Sequence, residues 1–323
     1  VLGPALGGLL IGIASWRWIF WINIPVGIAA VITGLRNLPR TATEEAGPID
    51  VRGLVLLAVG LPALVYGLAE LGQGQGADPA RVLAPVIGGL LLITAFVVHA
   101  LRTVRPILDV RLFANRAFAA AATTTFVLGG GLFGAMILMP LFFQTVHGES
   151  AAMTGLLVAP QGLGAAIAMP IAGRLTDRYG GGAIALVGTV IITATTVPFM
   201  LIDESTSFLT TSLAMTARGI GMGIAIMPAM TAAYAVLRRD QIADATPQLN
   251  VLQRVGGSLG IALFAVILER QLRTGGAGSP HAIAQAYEVT YRWVAAGTAV
   301  AILPALALLR VERREPPPSS RAA

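Results

Sequence analysis

The strongest constraint on this chain is a repeated one: apolar stretches of about 20 residues, separated by short polar connections. Ten can be marked, near 1–14, 18–35, 53–71, 82–101, 117–143, 152–172, 183–202, 207–235, 250–268 and 291–309. As helices, most would cross the roughly 30 Å hydrocarbon core of a bilayer. In lipid, every backbone polar group must be bonded internally, so only helices or closed barrels can span. Barrel strands are about ten residues long and alternate strictly between their two faces. These stretches are longer and do not alternate, so the expected fold is all-α, a polytopic membrane protein with about ten transmembrane helices. The first stretch is short, but it has no basic segment before it and nine others follow, so it is not read as a secretory signal.

Composition supports the same conclusion. Only 12% of residues are charged and 55% are hydrophobic, whereas a soluble domain carries about 25% charged residues. The net charge of +6 does not mark a nucleic-acid surface. Every basic residue is an arginine, and they crowd into alternate connections: Arg36, Arg40 and Arg52; Arg102, Arg105, Arg111 and Arg116; Arg174 and Arg178; Arg238, Arg239 and Arg254; Arg310, Arg313, Arg314 and Arg321. The intervening connections hold only Arg17, Arg81, Arg270, Arg273 and Arg292. Under the positive-inside rule, the arginine-rich connections and the C-terminus are cytoplasmic. There is no cysteine, and His99, His147 and His281 are too scattered for a metal site.

Two patterns concern packing and gating. Glycines four apart in GPALGGLLIG and VGGSLGIALF allow close approach of helix backbones, and their recurrence is a weak echo of repeated bundles. The connection GRLTDRYGGG, 173–182, places Asp177 near the start of the following helix, where the dipole favours a carboxylate, with Arg178 beside it. On composition alone the favoured reading is a solvated turn with its arginines on the cytoplasmic side.

GRLTDRYGGG resembles the loop signature of the major facilitator superfamily, G-x-L-x-D-R-x-G-R-R/K. The resemblance implies a cytoplasmic latch at Gly173, Asp177, Arg178 and Gly180, with Gly181 and Gly182 standing where basic residues are usual. VLGPALGG is similar to the antiporter motif of drug:proton exporters through Gly3, Pro4, Gly7 and Gly8. WRWIFWINIPVG, DVRGLVLLAVGLPALVYGL, RPILDVRLFANRAF and QRVGGSLGIA extend the likeness to the fourteen-helix EmrB/QacA branch. The resemblance then implies the last two helices of a truncated N-terminal bundle at 1–36 and a cytoplasmic linker at 37–52. It further implies two extra helices at 53–104, a C-terminal six-helix bundle at 105–310 and a disordered cytoplasmic tail at 311–323. The implied function is proton-coupled efflux of multiple drugs, antibiotics or metabolites across the bacterial inner membrane by alternating access. Its partners would be small hydrophobic or cationic substrates, protons and the lipid bilayer. It would use no cofactor beyond the proton gradient and bind no nucleic acid. A fragment of this kind is expected not to transport alone.

Arg218, near the middle of the eighth stretch, must face protein or water, because a bare charge there costs about 2.5–3.5 kcal/mol. It is read either as a substrate or gating contact or as a structural arginine bonded to carbonyls. Gly219, Gly221 and Gly223 imitate a dinucleotide fingerprint, but no strand precedes them. Trp16, Trp18 and Trp21 read as an interfacial belt. Phe126, Phe133, Met136 and Met139 line a drug cavity in one reading and pack the interior in the other. Pro140, Pro160, Pro170 and Pro228 are expected to kink helices. The apolar interiors lack Asp and Glu, with Glu70 and Glu269 only at helix ends, so proton coupling would use either Glu70 or a carboxylate of the four earlier helices that the resemblance implies. An importer of polar solutes would show a more polar interior, a membrane enzyme would need acidic or histidine clusters, and a non-transporting scaffold stays open.

Overall fold

The computed structural model describes residues 7, 10, 17–37, 49–70, 79–104, 106–274 and 279–314. The stretch at 1–14, apart from residues 7 and 10, lies outside the described residues, as do Gly3, Pro4, Gly8, Trp16 and the tail from 315. Every regular element among the described residues is helical: α1 Trp18–Trp21, α2 Asn23–Asn37, α3 Val51–Glu70, α4 Pro79–Arg102, α5 Arg116–Thr145, α6 Ala151–Tyr179, α7 Gly181–Thr196, α8 Phe208–Ala235, α9 Arg239–Thr274, α10 Pro280–Val300 and α11 Ile302–Arg314, with 3-10 turns at Val110–Ala114 and Val197–Leu201. Nine spans among them are long and apolar enough to cross a membrane, counting α1–α2 as one and α10–α11 as one. The chain is an all-α, multi-pass membrane protein.

Helix starts follow local chemistry. The Asn115 carboxamide oxygen accepts from the amides of Ala117 and Phe118 at 2.9 and 3.2 Å, satisfying donors that the first turn of α5 leaves open. Ser150, Ser207 and Ser279 cap α6, α8 and α10 in the same way.

The helices from α5 onward pack together, chiefly α6 on α8, α5 on α9 and α7 on α8, while α3 and α4 form a separate hairpin touching α9. Glycine makes these seams. A methyl group added to Gly256 or Gly260 would collide with the carbonyl oxygen of Phe126 or Gly130 in α5. The expected close approach at VGGSLGIALF is therefore present, backbone against backbone. Gly219 and Gly223 meet α6 and Gly221 meets α7, so the pseudo-fingerprint is a packing device. The interior is filled by Phe142, Phe143, Phe199, Tyr287 and Tyr291 toward one end, and by Phe118, Leu249 and Leu308 toward the arginine-rich end.

Three segments depart from expectation. α9 begins at Arg239, eleven residues before the apolar stretch, so Arg239 is a helix residue, as is Arg254, which was grouped with the connections although it falls within the 250–268 stretch. α10 begins at Pro280, eleven residues before the apolar stretch at 291–309, and buries Tyr287 and Tyr291. Residues 311–314, expected to be disordered, complete α11. In each case a polar or amphipathic segment continues the helix beyond the apolar run that marks it.

Candidate functional site

A cavity of about 470 Å³ opens between α5, α6 and α8. α5 supplies Phe133, Met136 and Pro140; Gln161 and Met169 come from α6, and Met215 and Met222 from α8. Four of these are methionines, whose unbranched, polarizable chains repack around differently shaped ligands. Gln161 is the one hydrogen-bonding side chain among the lining residues, with its Nε2 3.9 Å from the Met222 sulfur. Such a wall holds apolar molecules by contact and offers a single polar anchor.

Of the four residues proposed from the sequence, Phe133 and Met136 line this cavity. Met139 is 2% exposed and belongs to the packed interior, and Phe126 presents its carbonyl to Gly256. The four positions span several turns of a helix that is apolar all round, so periodicity could not tell the cavity face from the packed one. Met169, Met215, Met222 and Gln161 were not singled out from the sequence. The spacing of Met215 and Met222, two turns apart on one face, is the signal that could have found the α8 pair.

Arg218 lies in α8 between those two methionines and is 0% exposed. Its Nη2 donates to the Gly131 carbonyl of α5 at 3.3 Å, while Nε and Nη1 have no hydrogen-bond partner among the described residues. The Tyr291 hydroxyl, within electrostatic reach, is also unpartnered. A purely structural arginine satisfied by carbonyls would use its donors more fully.

The latch signature occupies the turn between α6 and α7. Asp177 and Arg178 are exposed in the last turn of α6, where Arg178 lies over the Tyr179 ring at 5.3 Å. Gly180 adopts φ 86°, a conformation open to glycine, and reverses the chain. No atom lies within 4 Å of a methyl placed on Gly173. Asp177 is thus not the carboxylate at the start of the next helix. That place is taken by Glu312 of α11, which accepts from the amides of Gly181 and Gly182 at 2.9 and 2.6 Å. Glu312 was missed because its partners lie some 130 residues away.

A second polar junction ties α3 to α4. Asp50 accepts from Gly53 N at 2.9 Å and from Ile107 N at 3.3 Å, and pairs with His99 Nε2 at 2.8 Å. Burial works against its ionisation, but these hydrogen bonds and the His99 charge outweigh it and hold the carboxyl below its ordinary value.

Membrane-length helices joined by short connections pack around an apolar cavity, which makes this a membrane-spanning helical bundle. The chain belongs to the major facilitator superfamily, whose sequence profile matches residues 1–261. It is 43% identical over 275 residues to the multidrug resistance protein B homolog of Mycobacterium tuberculosis, covering 83% of this chain and 50% of that protein. It is 28% identical over 267 residues to the lincomycin resistance protein LmrB of Listeria monocytogenes, covering 83% and 56%. The chain thus spans about half the length of the curated relatives it matches. Its fold resembles the crystal structure of a bacterial homolog of the human lysosomal transporter Spinster, inward-facing and unoccupied, with a TM-score of 0.50 and 16% identity over 80% of this chain and 68% of that one.

Proposed function

We propose that this chain forms part of a drug exporter, a proton-coupled antiporter of the fourteen-helix EmrB/QacA type that works by alternating access. The observation that carries the reading is the methionine-rich cavity with one polar anchor, which suits varied apolar molecules and not a polar nutrient. The names of the relatives, multidrug resistance and lincomycin resistance, support the same substrate range. The arginine-rich end, including the C-terminus, faces the cytoplasm of a bacterial inner membrane. Substrate enters between this six-helix unit and a second bundle, and the turn at Gly173, Asp177, Arg178 and Gly180 meets that bundle when the cytoplasmic side closes. The coupling carboxylate lies on the second bundle, since the cavity found here is lined by no Asp or Glu.

The test uses the protein with both bundles, expressed in pump-deficient bacteria loaded with the neutral dye Nile red. Efflux is expected to stop on adding a protonophore and to fall at least tenfold in Met222→Trp, which fills the cavity. Unchanged efflux in Met222→Trp would remove the cavity from the mechanism, and protonophore-insensitive efflux would remove the proton coupling.

A further inference from the structure

Two arginines lie one turn from residues that line or touch this cavity wall, without lining it themselves. Arg218 lies behind the wall, one turn from both Met215 and Met222, with two of its three guanidinium nitrogens unpartnered. Arg254 lies outside the lining, which takes no residue from α9. It is exposed on α9, and Gly257, one turn further along, abuts the ring of cavity-lining Phe133, which a methyl on that glycine would approach to 2.9 Å. The depth of Arg254 follows from its neighbour Gln253, whose carbonyl packs on Gly129 near the middle of the 30-residue α5. Asn250 and Ser258 are exposed one turn to either side, making a polar stripe along a membrane helix. Facing lipid, a lone guanidinium at that depth would be strongly disfavoured, so the stripe faces water or protein. Neither arginine forms an ion pair among the described residues, and no carboxylate lines the cavity.

From this we infer that Arg218 and Arg254 make this wall an acceptor-binding subsite, so that its preferred ligands are acidic or neutral amphiphiles bound through an oxygen, and lipophilic cations bind poorly. The inference rests on the export reading of the cavity. The two charges act through a low-dielectric wall, where each biases a neighbouring ion far more than it would in water. Gln161 supplies the hydrogen-bonding anchor, and the two guanidinium charges supply the selectivity.

The test is a matched pair of ions of nearly equal size and shape, tetraphenylborate and tetraphenylphosphonium. Binding is measured to the purified chain in nanodiscs of neutral lipid, with empty nanodiscs subtracted. The wild-type chain is expected to bind the anion at least about tenfold more tightly than the cation. Arg254→Gln and Arg218→Met should each shrink that ratio severalfold, Arg218→Lys should keep most of it, and Gln161→Glu, which leaves both arginines in place, should lower it. Equal or tighter cation binding by the wild type, or a ratio unchanged in both Arg254→Gln and Gln161→Glu, overturns the inference. Because the chain has no cysteine, Met222→Cys reports occupancy separately through protection from maleimide. Protection by either ion with no charge preference defeats the subsite alone. Protection by neither defeats the cavity reading and the subsite together.

Discussion

The carboxylate of Glu312, near the end of the last helix, lies 2.6 Å from the amide nitrogen of Gly182 at the start of α7. Its other oxygen takes the Gly181 amide, so one side chain satisfies two open donors where the helix dipole is positive. The superfamily signature would put basic side chains at these two positions. Here bare backbone binds the acid, and a methyl on Gly182 would stand 2.6 Å from the Glu312 oxygen. Glu312→Ala should therefore destabilise the chain by about 1–2 kcal/mol, with Glu312→Gln intermediate. Thermal unfolding in detergent micelles measures this, and an unchanged midpoint in Glu312→Ala would refute the capping role.

Gly173 offers the opposite case. No atom lies within 4 Å of a methyl placed on it, and it sits inside α6, where alanine is favoured over glycine by about 0.5–1 kcal/mol. Gly173→Ala should leave stability equal or slightly higher. If this face meets the second bundle, as proposed, Nile red efflux should nevertheless fall. Loss of efflux with stability retained separates a gating contact from an internal one.

At the α5–α9 seam, Gly256 has no room. Gly256→Val must push α9 off the Phe126 carbonyl and should cost about 1–3 kcal/mol or more, because overpacking forces backbone shifts. The midpoint of thermal unfolding should drop, and the yield of monodisperse protein with it. Gly88, which has open space around its Cβ position, is the control and should accept alanine without loss.

Asp50 predicts a pH dependence. Its folded carboxyl is held below the ordinary 3.8, so its contribution is complete above that value and is lost as pH falls through the lower, folded one. Acid unfolding followed from pH 6 downward should therefore steepen below about pH 4 in the wild type. Asp50→Asn should remove that part of the slope and lower stability at neutral pH. The affected unit is the α3–α4 hairpin, since His99 and Ile107 are the partners released.

The residues legible in the sequence were those whose meaning depends on hydrophobic length or on local spacing. The apolar stretches beyond the first correspond to the nine spans, and the glycines of VGGSLGIALF meet α5 as their spacing implied. What escaped needed a partner far along the chain or a face chosen by packing. Met136 and Met139 are one turn apart on a helix apolar on all sides, and only the neighbours α6 and α8 decide which one meets the cavity. Arg239 was read as part of a connection because hydropathy marks where lipid begins and not where a helix begins. Asp177 had the right chemistry for a helix start, but Gly180 turns the chain so that Glu312 arrives there instead.

The glycine seam between α5 and α9 has a mechanical consequence. Where side chains interlock, two helices can move only by disengaging one set of contacts and finding another, which limits them to jumps of about a turn. Gly256 and Gly260 present no such teeth to the α5 backbone. Beside them, however, Phe133 of α5 sits on Gly257 and Phe264 of α9 sits on Gly134, so the two helices are keyed together and are built to move as one body.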